Sequence, residues 1–231
     1  MESAHLFRIV GVLGAYRVEQ AFALSIKRAL ANGLPTPNLR PSDLLRGGLR
    51  GLARDSLGAG LARPRLRAAL RDAGARALLR YTVECALDPS QHVTFPAGPG
   101  GATRLSGQVG LAPAWAGGAC DESCQRWVSA CVLARANARG QRVPVVLSGR
   151  HPALAERAQV ADAAGLVEEG TFVGNLFAAR PALGVCGEAP SRSCAGTTAG
   201  ASCPMRPIAC GTLPAESVTV YLQRSTGVAR N

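Results

Sequence analysis

Residues 121–137 read Asp121-Glu-Ser-Cys-Gln-Arg-Trp-Val-Ser-Ala-Cys-Val-Leu-Ala-Arg-Ala-Asn137, a pattern that predicts a helix. Asp121 is a good N-cap residue, and the glutamate after it is favourable in a first turn. Cys124, Trp127 and Cys131 recur at spacings of three and four, so their side chains share one face. We therefore expect Trp127 to pack in the core against a disulfide bond.

A second helix is predicted between Pro64 and Cys85. Its apolar residues recur at spacings of three and four, and its arginines lie mostly on other faces. This helix places Cys85 in the core, where Cys131 of the first helix can meet it. We favour a Cys85–Cys131 bond that links the two helices.

Disulfide bonds are predicted from the number and position of the cysteines. The chain has eight, all between Cys85 and Cys210, and an even number in a basic chain of this size indicates a framework that forms in an oxidising compartment. The sequence leaves the connectivity open. Beside the helix–helix bond, we favour a local Cys120–Cys124 bond and two bridges within the last four cysteines. Those four are Cys186, Cys194, Cys203 and Cys210.

The spacing of the cysteines favours disulfides over zinc. Structural zinc sites use closely paired cysteines, whereas the only short spacing here runs from Cys120 to Cys124, and no histidine lies near either cluster. The last four cysteines fall among Gly, Ser, Thr and Pro, so we expect cross-links to order a segment that has little apolar content. We predict neither a metal nor a cofactor.

Short strands are predicted around the two helices, at residues 92–95, 105–111, 142–147 and 217–223. Turns rich in Gly and Pro separate them. Residues 152–164 form a short helix or a lid-like loop. The fold class is therefore α+β: a disulfide-stabilised domain with two core helices and several short antiparallel strands, preceded by a helical or repeat-like leader.

The chain divides into three parts. Residues 1–32 form a helical leader or a degenerate export segment, in which an amphipathic helix over residues 17–30 ends at Asn32 and Gly33. This leader is a poor signal peptide, which conflicts with the oxidising compartment that the cysteines indicate. One explanation is that translation starts upstream of Met1. Residues 33–62 follow, and residues 63–231 form the cysteine-containing domain.

The middle part, residues 33–62, carries leucines at a period of five, namely Leu34, Leu39, Leu44 and Leu49. Each follows Gly, Asn or Asp, a register that resembles pentapeptide repeats with an inward-pointing leucine. Repeat units need stacked neighbours to bury their apolar face, and this segment supplies few. We expect either a degenerate repeat coil or a Gly- and Pro-rich linker.

The net charge of +11 is unevenly distributed. Residues 1–80 carry 14 basic and 5 acidic side chains, whereas residues 81–231 carry 12 basic and 10 acidic ones. Lys27 is the only lysine among 26 basic residues, which indicates codon composition rather than selection for phosphate contacts. The aromatic residues that usually alternate with basic ones on a stacking surface are missing. The pattern therefore disfavours nucleic-acid binding.

No catalytic motif occurs, and the chain has three histidines, His5, His92 and His151. His151 is the best candidate because it lies in a loop after a predicted strand. A hydrolase would use it with the nearby acids Glu168 and Glu169, although adjacent side chains point in opposite directions in an extended chain. An enzyme should place His151 in a cleft with a carboxylate within hydrogen-bond reach, whereas a binding protein should leave it exposed on a loop.

Four blocks of the chain resemble a group of exported proteins of myxobacteria. They are Leu78-Leu-Arg-Tyr-Thr-Val-Glu-Cys-Ala-Leu87, Gly107-Gln-Val-Gly-Leu-Ala-Pro-Ala-Trp115, Gln125-Arg-Trp-Val-Ser-Ala-Cys-Val-Leu-Ala-Arg135 and Glu169-Gly-Thr-Phe-Val-Gly-Asn-Leu-Phe177. Some of those proteins carry Asn-Gly-Leu repeats of period five before the domain. The resemblance covers about residues 70–215 and departs from the group at the N-terminus and in the pair Cys120 and Cys124. It implies export and a similar fold, and it implies no activity.

These observations leave three functional hypotheses. The first is an extracytoplasmic protein, held by disulfides, that binds components of the cell surface or extracellular matrix or has a structural role there. The second is a secreted hydrolase that uses His151. The third is a cytosolic basic protein, which predicts eight alkylatable thiols. No apolar run is long enough to span a bilayer as a helix.

Overall fold

The structure is a computed structural model that describes residues 30–39, 48–98, 101–138, 140–155, 160, 165–187 and 204–223. Its helices are α1 (Leu49–Ala53), α2 (Leu57–Leu61), α3 (Pro64–Ala69), α4 (Ala73–Ala86) and α5 (Glu122–Ala134). Its strands are β1 (Leu30–Asn32), β2 (Leu34–Pro35), β3 (His92–Gly98), β4 (Gly101–Ser106), β5 (Ala136–Asn137), β6 (Val143–Ser148), β7 (Leu166–Gly174), β8 (Leu183–Cys186), β9 (Arg206–Pro207) and β10 (Val218–Gln223). The α+β class is confirmed.

Six strands form the main sheet in the order β1-β6-β10-β7-β8-β9. Neighbouring strands are antiparallel, except that β8 and β9 run parallel. Side chains alternate between the two faces of a strand. One face packs against α5 and joins the main core through Leu147, Phe172, Val218 and Val220. The intervening residues, which include Ser148 and Thr219, therefore face away from α5.

The helices α4 and α5 pack against each other beneath this sheet. Asp121 caps α5 as predicted, because its carboxylate accepts a hydrogen bond from the Cys124 backbone N–H at 2.8 Å. The helix predicted from Pro64 to Cys85 is interrupted. Asp72 accepts a hydrogen bond from the Ala75 N–H at 2.8 Å and so starts a new helix, which divides the segment into α3 and α4.

The main core also includes residues of the segment that we treated as a repeat coil or a linker. Leu34, Leu39 and Leu49 are buried and lie in β2, in a 3-10 turn and in α1, respectively. Leu44 lies outside the described residues. The amphipathic helices α1 and α2 add further buried leucines to the same core. Residues 48–62 therefore pack with the cysteine-containing part of the chain.

Two local expectations are wrong. Leu30, expected at the end of a helix, lies in β1 and pairs with Val145, because the edge of β6 offers backbone groups that a strand can satisfy. Residues 17–29 of that predicted helix lie outside the described residues. The strand expected at residues 105–111 ends at Ser106. Beyond Ser106 the backbone instead donates hydrogen bonds to carbonyls at the end of α4, two of them to the Glu84 carbonyl at 2.9 Å.

Disulfide bonds, predicted from the cysteine count, are present at three places. Cys85 is bonded to Cys131 and joins α4 to α5, and a local bond joins Cys120 to Cys124. Both pairs are ones that we favoured from the sequence, the first from the positions of the two helices and the second from its short spacing. A third bond joins Cys186 to Cys210, within the segment where we expected two bridges. Cys194 and Cys203 lie outside the described residues.

The bond between the two helices should contribute more stability than the local one. Cys85 and Cys131 are 46 residues apart, so replacing both with alanine should lower the free energy of unfolding by about 4 kcal/mol, since the cross-link restricts a long loop in the unfolded chain. The matched double variant Cys120→Ala/Cys124→Ala opens a loop of 4 residues and should lose about 2 kcal/mol. Urea unfolding of both variants measures the difference, and equal losses would contradict this ranking.

Candidate functional site

A row of hydroxyl groups crosses three neighbouring strands on the sheet face that lies away from α5. Ser148 on β6 lies opposite Thr219 on β10, and Thr219 lies opposite Thr171 on β7. Residues that pair directly across strands have adjacent side chains. Ser148, Thr171 and Thr219 are 0%, 2% and 5% exposed. The Oγ1 atoms of Thr171 and Thr219 are hydrogen-bonded at 2.8 Å.

This row lines a cleft of about 990 Å³, which we call the hydroxyl cleft. Two loops, residues 149–154 and 210–217, supply most of the remaining lining. Cys186 on β8 lies opposite Thr171, so the Cys186–Cys210 bond fastens the second loop to the sheet beside the hydroxyl row. The polar lining side chains are Ser148, Arg150, His151, Thr171, Thr212, Ser217 and Thr219.

His151 lines this cleft from the first loop. Its Nδ1 atom accepts a hydrogen bond from the Ala153 backbone N–H at 3.1 Å. Its ring meets the Trp127 ring edge to face, with the centroids 5.0 Å apart. Burial lowers the pKa of His151 below its ordinary value, which favours the neutral imidazole. With Nδ1 acting as an acceptor, the neutral ring carries its proton on Nε2.

The Ser148 hydroxyl is buried, yet it has no hydrogen-bond partner among the described residues. A buried polar group left unsatisfied costs about 1–3 kcal/mol. Ser148 and His151 therefore do not form the hydrogen-bonded pair of nucleophile and base that covalent catalysis uses. Because Ser148 is 0% exposed, its unsatisfied hydroxyl lies beneath the surface of the cleft and is closed to a ligand in this conformation.

Carboxylates are absent from the described residues that line the cleft. Glu168 lies on β7 opposite Tyr221, and the register shift beside Tyr221 leaves Glu169 as the extra residue of a bulge. His151 thus lies in a cleft, as we expected of an enzyme, but without the neighbouring carboxylate that this expectation required. The site provides hydrogen-bond donors and acceptors around a pocket and lacks an acid–base pair among these lining residues.

A second polar cluster surrounds Arg135, which is 2% exposed at the end of α5. Its Nη2 atom donates to the Glu84 carboxylate at 2.6 Å and to the Gln108 side-chain oxygen at 3.4 Å. Its guanidinium lies 4.5 Å from the centroid of the Tyr81 ring. Burial lowers the pKa of Arg135, whereas the charge of Glu84 raises it. This cluster joins α4 to α5 and has a structural role.

Sequence reasoning singled out His151 but missed the hydroxyl row. The three hydroxyl residues are far apart in the chain, and each is a small polar residue beside apolar strand residues, as in Val218-Thr-Val220. The alternation of polar and apolar residues predicts which side chains share one face of a single strand. It does not predict which strands pair, and that pairing is what brings Ser148, Thr219 and Thr171 together.

Within the described ranges, no group of three His, Cys, Asp or Glu side chains could hold a metal ion. No helix in the same ranges is long and apolar enough to cross a membrane. Comparisons of the chain with protein-family models, curated proteins and solved structures found no match. The function is therefore inferred from the chemistry of the hydroxyl cleft.

Removing the charge of Glu84 should destabilise the fold strongly. The variant Glu84→Gln leaves the buried Arg135 charge without its counter-ion and should cost about 3–5 kcal/mol of unfolding free energy. Glu122→Gln is the matched control, because Glu122 pairs with Arg126 on the exposed face of α5. That change should cost about 0.5 kcal/mol or less. Urea unfolding tests both, and a small loss in Glu84→Gln would show that Arg135 is solvated.

Ser148→Ala should leave the stability of the free protein unchanged or raise it by about 1 kcal/mol, since it removes an unsatisfied buried hydroxyl. Thr219→Val should instead lower stability by about 1–3 kcal/mol, because it leaves the Thr171 hydroxyl without its partner. Thermal unfolding of the two variants gives the comparison. If Ser148→Ala were as destabilising as Thr219→Val, Ser148 would have a partner in solution.

Proposed function

We propose that this protein is an extracytoplasmic, disulfide-stabilised binding protein whose ligand occupies the hydroxyl cleft. The observation that carries the proposal is the cleft itself, whose lining combines Arg150 and His151 with the hydroxyl residues Thr212 and Ser217, none of them fully buried. The volume of about 990 Å³ is within the range of small-molecule sites.

The disulfide bonds support the assignment to an oxidising compartment. Such bonds persist in secreted and periplasmic proteins and are rare in the cytosol of mesophiles. One of the three, Cys186–Cys210, holds the loop that forms part of the cleft, so the shape of the cleft depends on an oxidised cysteine pair. The resemblance to exported proteins of myxobacteria is in keeping with this compartment.

The two alternatives have less support. A hydrolase built on His151 lacks a carboxylate among the described lining residues, and Ser148 is not hydrogen-bonded to His151. A cytosolic protein with free thiols requires six cysteines to stay reduced although they lie at bonding distance in pairs. A binding role for the cleft needs neither catalytic geometry nor reduced cysteines.

A screen of small polar compounds by backbone amide NMR tests the binding role. Compounds that bind should shift amide signals of the residues that line the cleft, and Thr212→Trp, which places a large side chain at an exposed lining position, should abolish those shifts. Shifts confined to another surface, or shifts that persist in Thr212→Trp, would contradict the proposal.

Alkylation of the cysteines tests the assignment to an oxidising compartment. The protein is isolated without reductant from the cells that produce it naturally. Iodoacetamide applied in denaturant should label none of the six paired cysteines, whereas prior reduction should expose them all. Labelling without reduction would place the protein in a reducing compartment.

A further inference from the structure

Among the described residues that line the hydroxyl cleft, one side chain is charged and several are polar but neutral. Arg150 is the only charged side chain among the described residues that line it, and it has no ion-pair partner in the described chain. Clefts lined by charge of one sign focus the electrostatic potential and concentrate ligands of the opposite sign. The cleft therefore favours an anionic group over a cationic one.

The neutral side chains of the cleft add hydrogen-bond donors. His151 offers its Nε2–H, since Nδ1 already accepts from the Ala153 N–H and the edge-to-face contact with Trp127 restrains the ring. The hydroxyls of Ser148, Thr171 and Thr219 lie beneath the surface of the cleft, since these residues are 0%, 2% and 5% exposed.

We infer that the ligand of the hydroxyl cleft carries a carboxylate group that accepts hydrogen bonds from His151 and Arg150. This inference rests on the proposed binding function and adds the chemical class of the ligand. A carboxylate matches a single guanidinium, which it can bind through two parallel hydrogen bonds. A phosphate monoester carries about two negative charges at neutral pH and would call for further cations.

The size of the cleft favours a carboxylate that belongs to a larger organic molecule. A bare carboxylate would fill only a small part of about 990 Å³. The hydroxyls of Thr212 and Ser217 lie in the same lining and can bind neutral polar groups of the ligand body. Two sources fit this chemistry, an acidic sugar and an acylated amino acid.

Isothermal titration with matched acid and neutral compounds tests the inference. The pairs are sodium glucuronate with methyl glucoside, and N-acetylalanine with N-acetylalanine amide. We expect at least one acid to bind about tenfold or more tightly than its neutral partner, as a charge-assisted contact of about 1.4 kcal/mol would give. The pair that shows the larger difference identifies the source of the carboxylate.

Variants link this preference to the cleft. Arg150→Gln should remove most of the difference between acid and neutral partner, and His151→Phe, which keeps a ring against Trp127, should weaken binding of the acid several-fold. Arg206→Gln is the matched control, because Arg206 is exposed on β9 and is not among the described lining residues. This control should bind the acid as the unaltered protein does.

The possible failures are distinguishable. If the neutral partners bind at the cleft as tightly as the acids, the inference of a carboxylate is wrong and the proposed binding function stands. If inorganic phosphate or glucose 6-phosphate binds more tightly than either acid, the inference of a carboxylate is also wrong. If neither the acids nor the neutral compounds bind, and the compound screen finds no ligand at the cleft, the binding function falls together with this inference.

Discussion

The junction between α4 and α5 determines the rest of the fold. Cys85 and Cys131 are bonded in the middle of this junction, and one turn further along α5 the buried Arg135 contacts Glu84 and Tyr81 of α4. A covalent bond and a partnered buried charge thus restrain the same two helices. Because α5 also packs on β7 and β10, the position of this helix pair selects the sheet face that joins the core.

The hydroxyl cleft lies on the sheet face that does not join the core. Alternation along β6, β10 and β7 directs Leu147, Val218 and Phe172 toward α5, and it therefore directs Ser148, Thr219 and Thr171 to the opposite face. The cleft forms where two loops cover this second face incompletely. The Cys186–Cys210 bond holds one loop in place without the apolar contacts that a larger core would provide.

The sequence predicts features that depend on local patterns and fails where distant segments pair. The cap at Asp121, the helix that follows it and the Cys85–Cys131 pair can be inferred from spacing along single helices. Leu30 was assigned to a helix because its own neighbours are amphipathic, whereas its strand conformation depends on pairing with Val145. His151 was found from its place after a strand. The hydroxyl row was missed because its register joins residues 148, 171 and 219, and a single sequence contains no record of that pairing.

Arg135 and Ser148 show why burial alone does not identify a functional residue. Both side chains are almost completely buried, and the charge of Arg135 makes it the more conspicuous of the two. Arg135 donates to Glu84 and Gln108 and lies over Tyr81, so its desolvation is offset within the protein. Ser148 has no such partner among the described residues, and its hydroxyl is closed to the cleft above it. Burial is thus compensated in one residue and uncompensated in the other, whereas ligand binding depends on side chains that reach the cleft, such as His151.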